Sequence, residues 1–240
     1  MKQYKLIYSP SNILKVKANL PASKSIANRA LVIAALCGAD KWLKNLSDCD
    51  DTQAVISALS SNDEVKNIGA AGTAMRFLTA YYAISSLSVV MTGTERMKNR
   101  PISILVDALK SLGADIEYME KEGYPPLKIN GKKLQGGELH VKGDVSSQYL
   151  SALLMIAPYT AEGIKLVIEG DLVSRPYLQM TLSLMSDFGI CYTWKENIIE
   201  IKPSEYKPKE FTVENDWSAA SYWYSVVALS DNISVELDFL

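Results

Sequence analysis

Gly72-Thr73-Ala74-Met75-Arg76-Phe77-Leu78 sets small and polar residues directly ahead of an apolar run long enough for a helix. The same order returns at Ser146-Ser147-Gln148-Tyr149-Leu150 and at Asp216-Trp217-Ser218-Ala219-Ala220-Ser221-Tyr222. The interval is about 70 to 75 residues, the mark of an internal repeat. A second kind of segment keeps a similar beat: Arg100-Pro101 and Arg175-Pro176 each open an amphipathic run closed by a glycine. Proline at the first helical position and glycine just past the end is the usual helix asymmetry, so helices are predicted from Pro101 to Leu112 and from Pro176 to Phe188. Another is predicted from Ser25 to Leu36, where Ile26, Ala30, Ile33 and Cys37 share one face.

Strand-like text follows the helices. Ala114 to Met119, Leu127 to Ile129, Leu139 to Val141, Ile164 to Ile168, Ile190 to Trp194 and Ile198 to Ile201 carry β-branched, aromatic or alternating residues between Gly, Asn and Lys turns. The repeating unit is therefore about two helices and several strands, an α/β fold with internal pseudo-symmetry. Neither GxGxxG nor GxxxxGK[ST] occurs after any strand, which argues against a doubly wound nucleotide fold.

The 240 residues, 48% of them hydrophobic, are ample for a real core and exclude a disordered chain. Lys and Arg number 25 against 27 Asp and Glu, so the net charge of -2 offers no footprint for nucleic acid or an anionic membrane. Any anion site must be local. Cys37, Cys49 and Cys191 are odd in number and lack CxxC spacing, which fits a reducing compartment and no metal. Met1 to Ser9 lacks the apolar segment of a signal peptide, and no apolar run reaches membrane-spanning length. The expectation is a cytoplasmic protein. Pro203 to Pro208 is charged and bounded by prolines, the best candidate for a linker. The sequence finishes on Ile233 to Leu240, an alternating strand pattern with no turn or polar tail behind it, so a front portion of a longer protein is expected.

Cations stand where the helix dipole disfavours them. A Lys or Arg at a helix N-terminus costs a few tenths to about 1 kcal/mol. Lys24 and Arg29 flank one predicted helix start, Arg76 lies in the first turn after Gly72-Thr73, and Arg100 and Arg175 occupy cap positions before their prolines. Five such placements point to phosphate or carboxylate ligands held jointly by free backbone N–H groups and guanidinium forks. Ion pairing with surface carboxylates explains any one of them equally well, but not all five. Ser25 lies one turn before Arg29 and can address the same ligand group. Ser146, Ser147 and Gln148 offer hydroxyls and an amide at a helix start, although plain capping accounts for such residues as readily. Gly72-Thr73 permits close backbone approach or a tight turn. His140, the single histidine, alternates with Leu139 and Val141 in a strand and is not favoured for proton transfer.

Five segments carry a resemblance to the 5-enolpyruvylshikimate-3-phosphate synthases. They are Pro21-Ala22-Ser23-Lys24-Ser25-Ile26-Ala27-Asn28-Arg29-Ala30, Gly69-Ala70-Ala71-Gly72-Thr73-Ala74-Met75-Arg76, Thr92-Gly93-Thr94-Glu95-Arg96-Met97-Lys98-Asn99-Arg100-Pro101, Val145-Ser146-Ser147-Gln148-Tyr149-Leu150 and Ser174-Arg175-Pro176-Tyr177. The resemblance implies an inside-out α/β barrel-like domain of three repeated two-helix, four-strand units. It also implies a discontinuous first domain: residues 1–13 would supply its N-terminal strand, 14–211 the complete shikimate-phosphate-binding domain, and 212–240 a truncated return. The implied reaction adds the 5-hydroxyl of shikimate-3-phosphate to C2 of phosphoenolpyruvate and then eliminates phosphate, with no cofactor and a monomeric full-length enzyme. Ser25 and Arg29 would hold the shikimate carboxylate and ring hydroxyls, and Ser146, Ser147 and Ser174 the 3-phosphate. Gln148 and Tyr177 would line the ring, Lys24 would bridge both substrates in the one catalytic role assigned, and Gly72, Thr73 and Arg100 would receive phosphoenolpyruvate. Ala70, Arg175 and Trp217 depart from the family's usual Asn, Lys and Ala. Acid and base groups come largely from the family's later half, so the chain alone is expected to be an inactive fragment. The UDP-N-acetylglucosamine enolpyruvyl transferases share the chemistry but show Lys-Asn where this sequence has Lys24-Ser25. A non-catalytic binding module is the alternative from another class.

Overall fold

Two sheets with one strand order are built from successive stretches of this chain, and the computed structural model describes residues 14–39 and 42–238. In chain order the elements are β1 (Leu14–Ala18), α1 (Lys24–Cys37), β2 (Leu43–Lys44), α2 (Asp50–Ser60), β3 (Val65–Asn67), α3 (Gly72–Ile84), β4 (Ser88–Thr92), α4 (Glu95–Lys98) and α5 (Ser103–Ser111). There follow β5 (Asp115–Tyr118), β6 (Leu127–Asn130), β7 (Gly137–Lys142), α6 (Ser147–Ile156), β8 (Ile164–Glu169), α7 (Arg175–Asp187), β9 (Tyr192–Lys195), β10 (Ile198–Ile201), β11 (Phe211–Thr212), α8 (Trp217–Ala228) and β12 (Ile233–Leu237). The sheets run β3-β4-β6-β5 and β7-β8-β10-β9. In each, the first pair is parallel and joined through a helix, and the last two strands add antiparallel as a hairpin.

A third unit is divided. β11 pairs in parallel with β2, the relation β3 bears to β4 and β7 to β8, but its strands are 168 positions apart in register (Phe211 with Leu43). Its helices α1 and α2 come from the start of the chain, and it contributes two strands, not the expected four, among the described residues. β1 and β12 form another parallel pair with α8 between them in sequence, again one β–α–β unit interrupted by everything else. The segment Asp216 to Tyr222 thus opens the same local unit as its two counterparts, but on this separate piece; the partner of α3 and α6 in the main body is α1. Residues 1–13 of the expected N-terminal strand, with Phe239 and Leu240 of the terminal one, lie outside the described residues.

Burial explains the layering. α3 and α6 are apolar nearly all round, and almost every residue of each is buried, as a helix surrounded by protein requires. α5 and α7 bury a single stripe, Leu105, Val106 and Leu109 in one and Leu178, Leu182 and Met185 in the other. Strands alternate: Ile164, Leu166 and Ile168 are buried while their neighbours are not, so each sheet covers helices on one face and meets solvent on the other. Helices inside and sheets outside is the inside-out arrangement.

Two local expectations are corrected. The predicted helix from Pro101 begins instead at Ser103, after the short α4, because the Pro101 carbonyl is turned inward to accept from Arg76 and from the Tyr149 hydroxyl. Arg100 is therefore a loop residue, not a cap. Pro203 to Pro208 is no free linker: Tyr206 is buried and donates to the Met155 carbonyl at 2.8 Å, and Lys207 N–H donates to the Phe188 carbonyl. The segments after β1 and before α8 run side by side, with Ser23 N–H donating to the Glu214 carbonyl and Asp216 N–H to the Pro21 carbonyl.

Candidate active site

Four helices begin at the same end of the inner layer. The Arg29 guanidinium, in the second turn of α1, lies 5.2 Å from the Phe77 ring of α3, donates from Nη2 to Ser151 of α6 at 3.2 Å and from Nε to Thr181 of α7 at 2.7 Å. All three partners sit within the first two turns of their own helices, so α1, α3, α6 and α7 run side by side with N-termini together. Each terminus presents unpaired N–H groups and about half a positive charge, and the four effects add at one place.

Arg29 is the least ordinary residue there. It is 3% exposed, and its third bond, from Nη1, goes to the Ser25 carbonyl at 2.8 Å. Of the five guanidinium N–H groups, three are thus used and two, one on each Nη, are left over. Among the described residues no carboxylate lies within ion-pair reach of it. Burial without a counter-charge pushes its pKa down to about 10.

The other cations divide sharply. Arg76, also buried, is an internal strut that donates to the Gly72 and Pro101 carbonyls at 3.0 and 3.1 Å and to the Met97 sulfur at 3.9 Å, and lies over the Tyr149 ring. Arg175 stacks on Trp194 at 4.3 Å and lies in the first turn of α7, with Ser174 as cap. Lys24, exposed at the start of α1, pairs with Asp51 at 3.6 Å, and is the one cation of the five that surface pairing explains. Arg100 lies against Gly72, where a Cβ would fall on its guanidinium. Gly72 thus lets the Arg100 guanidinium approach closely and serves no turn. Partial burial lowers the Arg100 pKa, and neighbouring Arg76 and Arg96 lower it further, so this corner is short of negative charge.

Polar groups complete the rim. Ser23, not Ser25, caps α1, leaving the Ser25 hydroxyl without a described protein partner, as are those of Ser147 and Ser174. Ser146 caps α6 through the Gln148 N–H, and the Gln148 amide donates to Thr73 at 3.2 Å, tying the starts of α6 and α3 together. Tyr177 is half exposed on the first turn of α7. Ala70 and Trp217 are exposed; Trp217 opens α8, whose cap Asp216 donates its N–H to the Pro21 carbonyl just ahead of α1. His140 bonds Glu138 and Glu169 on an outer strand, as its sequence context suggested. No group of three or more metal-ligating side chains occurs among the described residues, and no described helix is long and apolar enough to cross a membrane.

The model of the EPSP synthase (3-phosphoshikimate 1-carboxyvinyltransferase) family matches residues 9–61 and 56–238. The chain belongs to the EPSP synthase family. A 3-phosphoshikimate 1-carboxyvinyltransferase of Bacteroides fragilis (strain YCH46) is 55% identical over 233 residues, covering 97% of this chain and 57% of the relative. One from Photobacterium damsela subsp. piscicida is 40% identical, covering 93% and 59%. The chain thus spans less than two thirds of the length of these relatives. The solved EPSP synthase from Acinetobacter baumannii superposes with a TM-score of 0.81 over 96% of this chain and 57% of its own, at 19% identity, a likeness of fold.

Sequence reasoning missed Ser151, Thr181 and Asp51. Thr181 carried a signal: it falls on the apolar stripe of α7 between Leu178, Leu182 and Met185, a place where a polar residue requires a partner. Ser151 sits likewise in an otherwise apolar run.

Proposed function

We propose that this chain forms the shikimate-3-phosphate side of a 3-phosphoshikimate 1-carboxyvinyltransferase, the activity its curated relatives are named for. Arg29 carries the reading: a buried cation with two spare N–H groups and no carboxylate beside it calls for an anion from outside the chain. On this reading it takes the shikimate carboxylate, with Ser25 one turn ahead at the ring hydroxyls. Ser146, Ser147 and Ser174, at the starts of α6 and α7, take the 3-phosphate, whose charge the two helix ends offset. Gln148 and Tyr177 bound the ring. Gly72, Thr73 and Arg100 receive phosphoenolpyruvate, and the charge shortage at Arg100 favours its phosphate.

The reaction joins the shikimate 5-oxygen, its proton removed, to C2 of phosphoenolpyruvate while C3 takes up a proton, and then breaks the C2–O bond to phosphate while C3 gives up a proton and the double bond re-forms. Lys24 and Arg100 stabilise negative charge on the departing phosphate, Lys24 exchanging Asp51 for the substrates. On this reading the base for the hydroxyl and the acid for the C3 methylene come largely from the family's later half. Calorimetry of the purified chain with shikimate-3-phosphate tests the reading: measurable heat and a thermal shift are expected, and neither at millimolar ligand would refute it. Binding of UDP-N-acetylglucosamine instead would redirect it to the sister transferase.

A further inference from the structure

We infer that Thr181 and Ser151 are positioning residues that lock the Arg29 guanidinium in one orientation, with its two spare N–H groups held toward the ligand anion; this rests on the shikimate-phosphate reading above. The argument is a count of hydrogens. A hydroxyl has one proton to give and two lone pairs to receive with. Thr181 gives its proton to the Tyr177 carbonyl, 2.8 Å away. The contact of 2.9 Å between Ser151 Oγ and Thr181 Oγ1 must then run from Ser151 to Thr181. Ser151, its proton spent, can only accept from Arg29 Nη2, and Thr181 accepts a second bond from Arg29 Nε. Every lone pair of Thr181 and its proton are used, and the chain of donors has one direction, from Arg29 toward α7.

Both residues are fully buried, so no water competes for these bonds, and the Phe77 ring covers the guanidinium. The plane of the guanidinium is consequently set by groups on three helices. A flexible cation would lose rotamer freedom on binding; one fixed beforehand does not. The same chain ends on the Tyr177 carbonyl, so Arg29 and the turn bearing the Tyr177 ring are held in register.

Three variants of the whole chain test this: Thr181→Val, which keeps shape but loses the hydroxyl, Thr181→Ser, which restores it, and Ser151→Ala. Two readouts are used. Calorimetry with shikimate-3-phosphate is expected to show about tenfold weaker binding for Thr181→Val and affinity within about twofold of wild type for Thr181→Ser. An analogue whose carboxylate is reduced to a hydroxymethyl group should bind all the folded proteins alike, which a general loss of structure would not give. Independently of any ligand, the Arg29 Nε–H resonance in nitrogen-15 NMR should be sharp and slow to exchange in wild type and Thr181→Ser, and broadened in Thr181→Val. Ser151→Ala should show an intermediate loss in both. A folded Thr181→Val with unchanged resonance and unchanged affinity overturns the inference. If wild type binds no shikimate-3-phosphate the functional reading fails, and the resonance alone then decides whether Arg29 is locked by Thr181.

Discussion

Replacing Arg29 by methionine should leave the fold intact and remove much of the ligand affinity. The structure sets both magnitudes. The change deletes three hydrogen bonds, yet strands little: Ser151 still donates to Thr181, Thr181 still donates to Tyr177, and the Ser25 carbonyl keeps its helical partner. Against the lost bonds stands relief from burying a cation without a counter-charge, a penalty of several kcal/mol, and methionine packs well against the Phe77 ring. Stability should therefore be unchanged or higher by up to about 2 kcal/mol. Binding of shikimate-3-phosphate loses hydrogen bonds to a charged group, about 1.5 to 3 kcal/mol, or about tenfold to about 150-fold in Kd. Urea denaturation reads the first and calorimetry the second. A loss of stability beyond about 3 kcal/mol would show that Arg29 is held for the fold, and an unchanged Kd in a folded variant would show that the ligand never meets it.

Gly72→Ala should change stability by less than about 1 kcal/mol, since helix position and ordinary backbone angles suit alanine, but should displace Arg100 and weaken competition by phosphoenolpyruvate in a binding assay; equal affinity would remove Arg100 from that site. Phosphate release by the isolated chain with both substrates should not exceed that of a Lys24→Ala control, because groups must face the transition state from both sides of a cleft; release above the control would mean the present residues suffice. The His140 pKa is raised, first by Glu138 and then by Glu169, and so the stability its charged form provides is complete below the ordinary imidazole value of about 6.5 and is lost as pH rises through the higher folded value. His140→Gln should flatten that part of the stability–pH curve, and an NMR titration of His140 below about 6.5 would contradict the assignment.

What the sequence determined by itself is local. Apolar periodicity, proline and glycine placed the cores of α1, α3, α6 and α7 and most strands of both full sheets, because such signals act within a few residues. It also marked misplaced cations at helix starts, since dipole and charge are read along one helix. What it could not decide is which helices stand side by side. Arg76 and Arg29 look alike in sequence, and each uses three of its five N–H groups, yet Arg76 is held by the Gly72 and Pro101 carbonyls and the Met97 sulfur while Arg29 is held by hydroxyls of two other helices and the Ser25 carbonyl. Short strands such as β2 and β11 have too few residues for a pattern and exist because residues 43–44 and 211–212 meet across the whole chain. Ser151 and Thr181 acquire a role only when α6 and α7 press them against α1, where burial denies them water and leaves Arg29 as their partner.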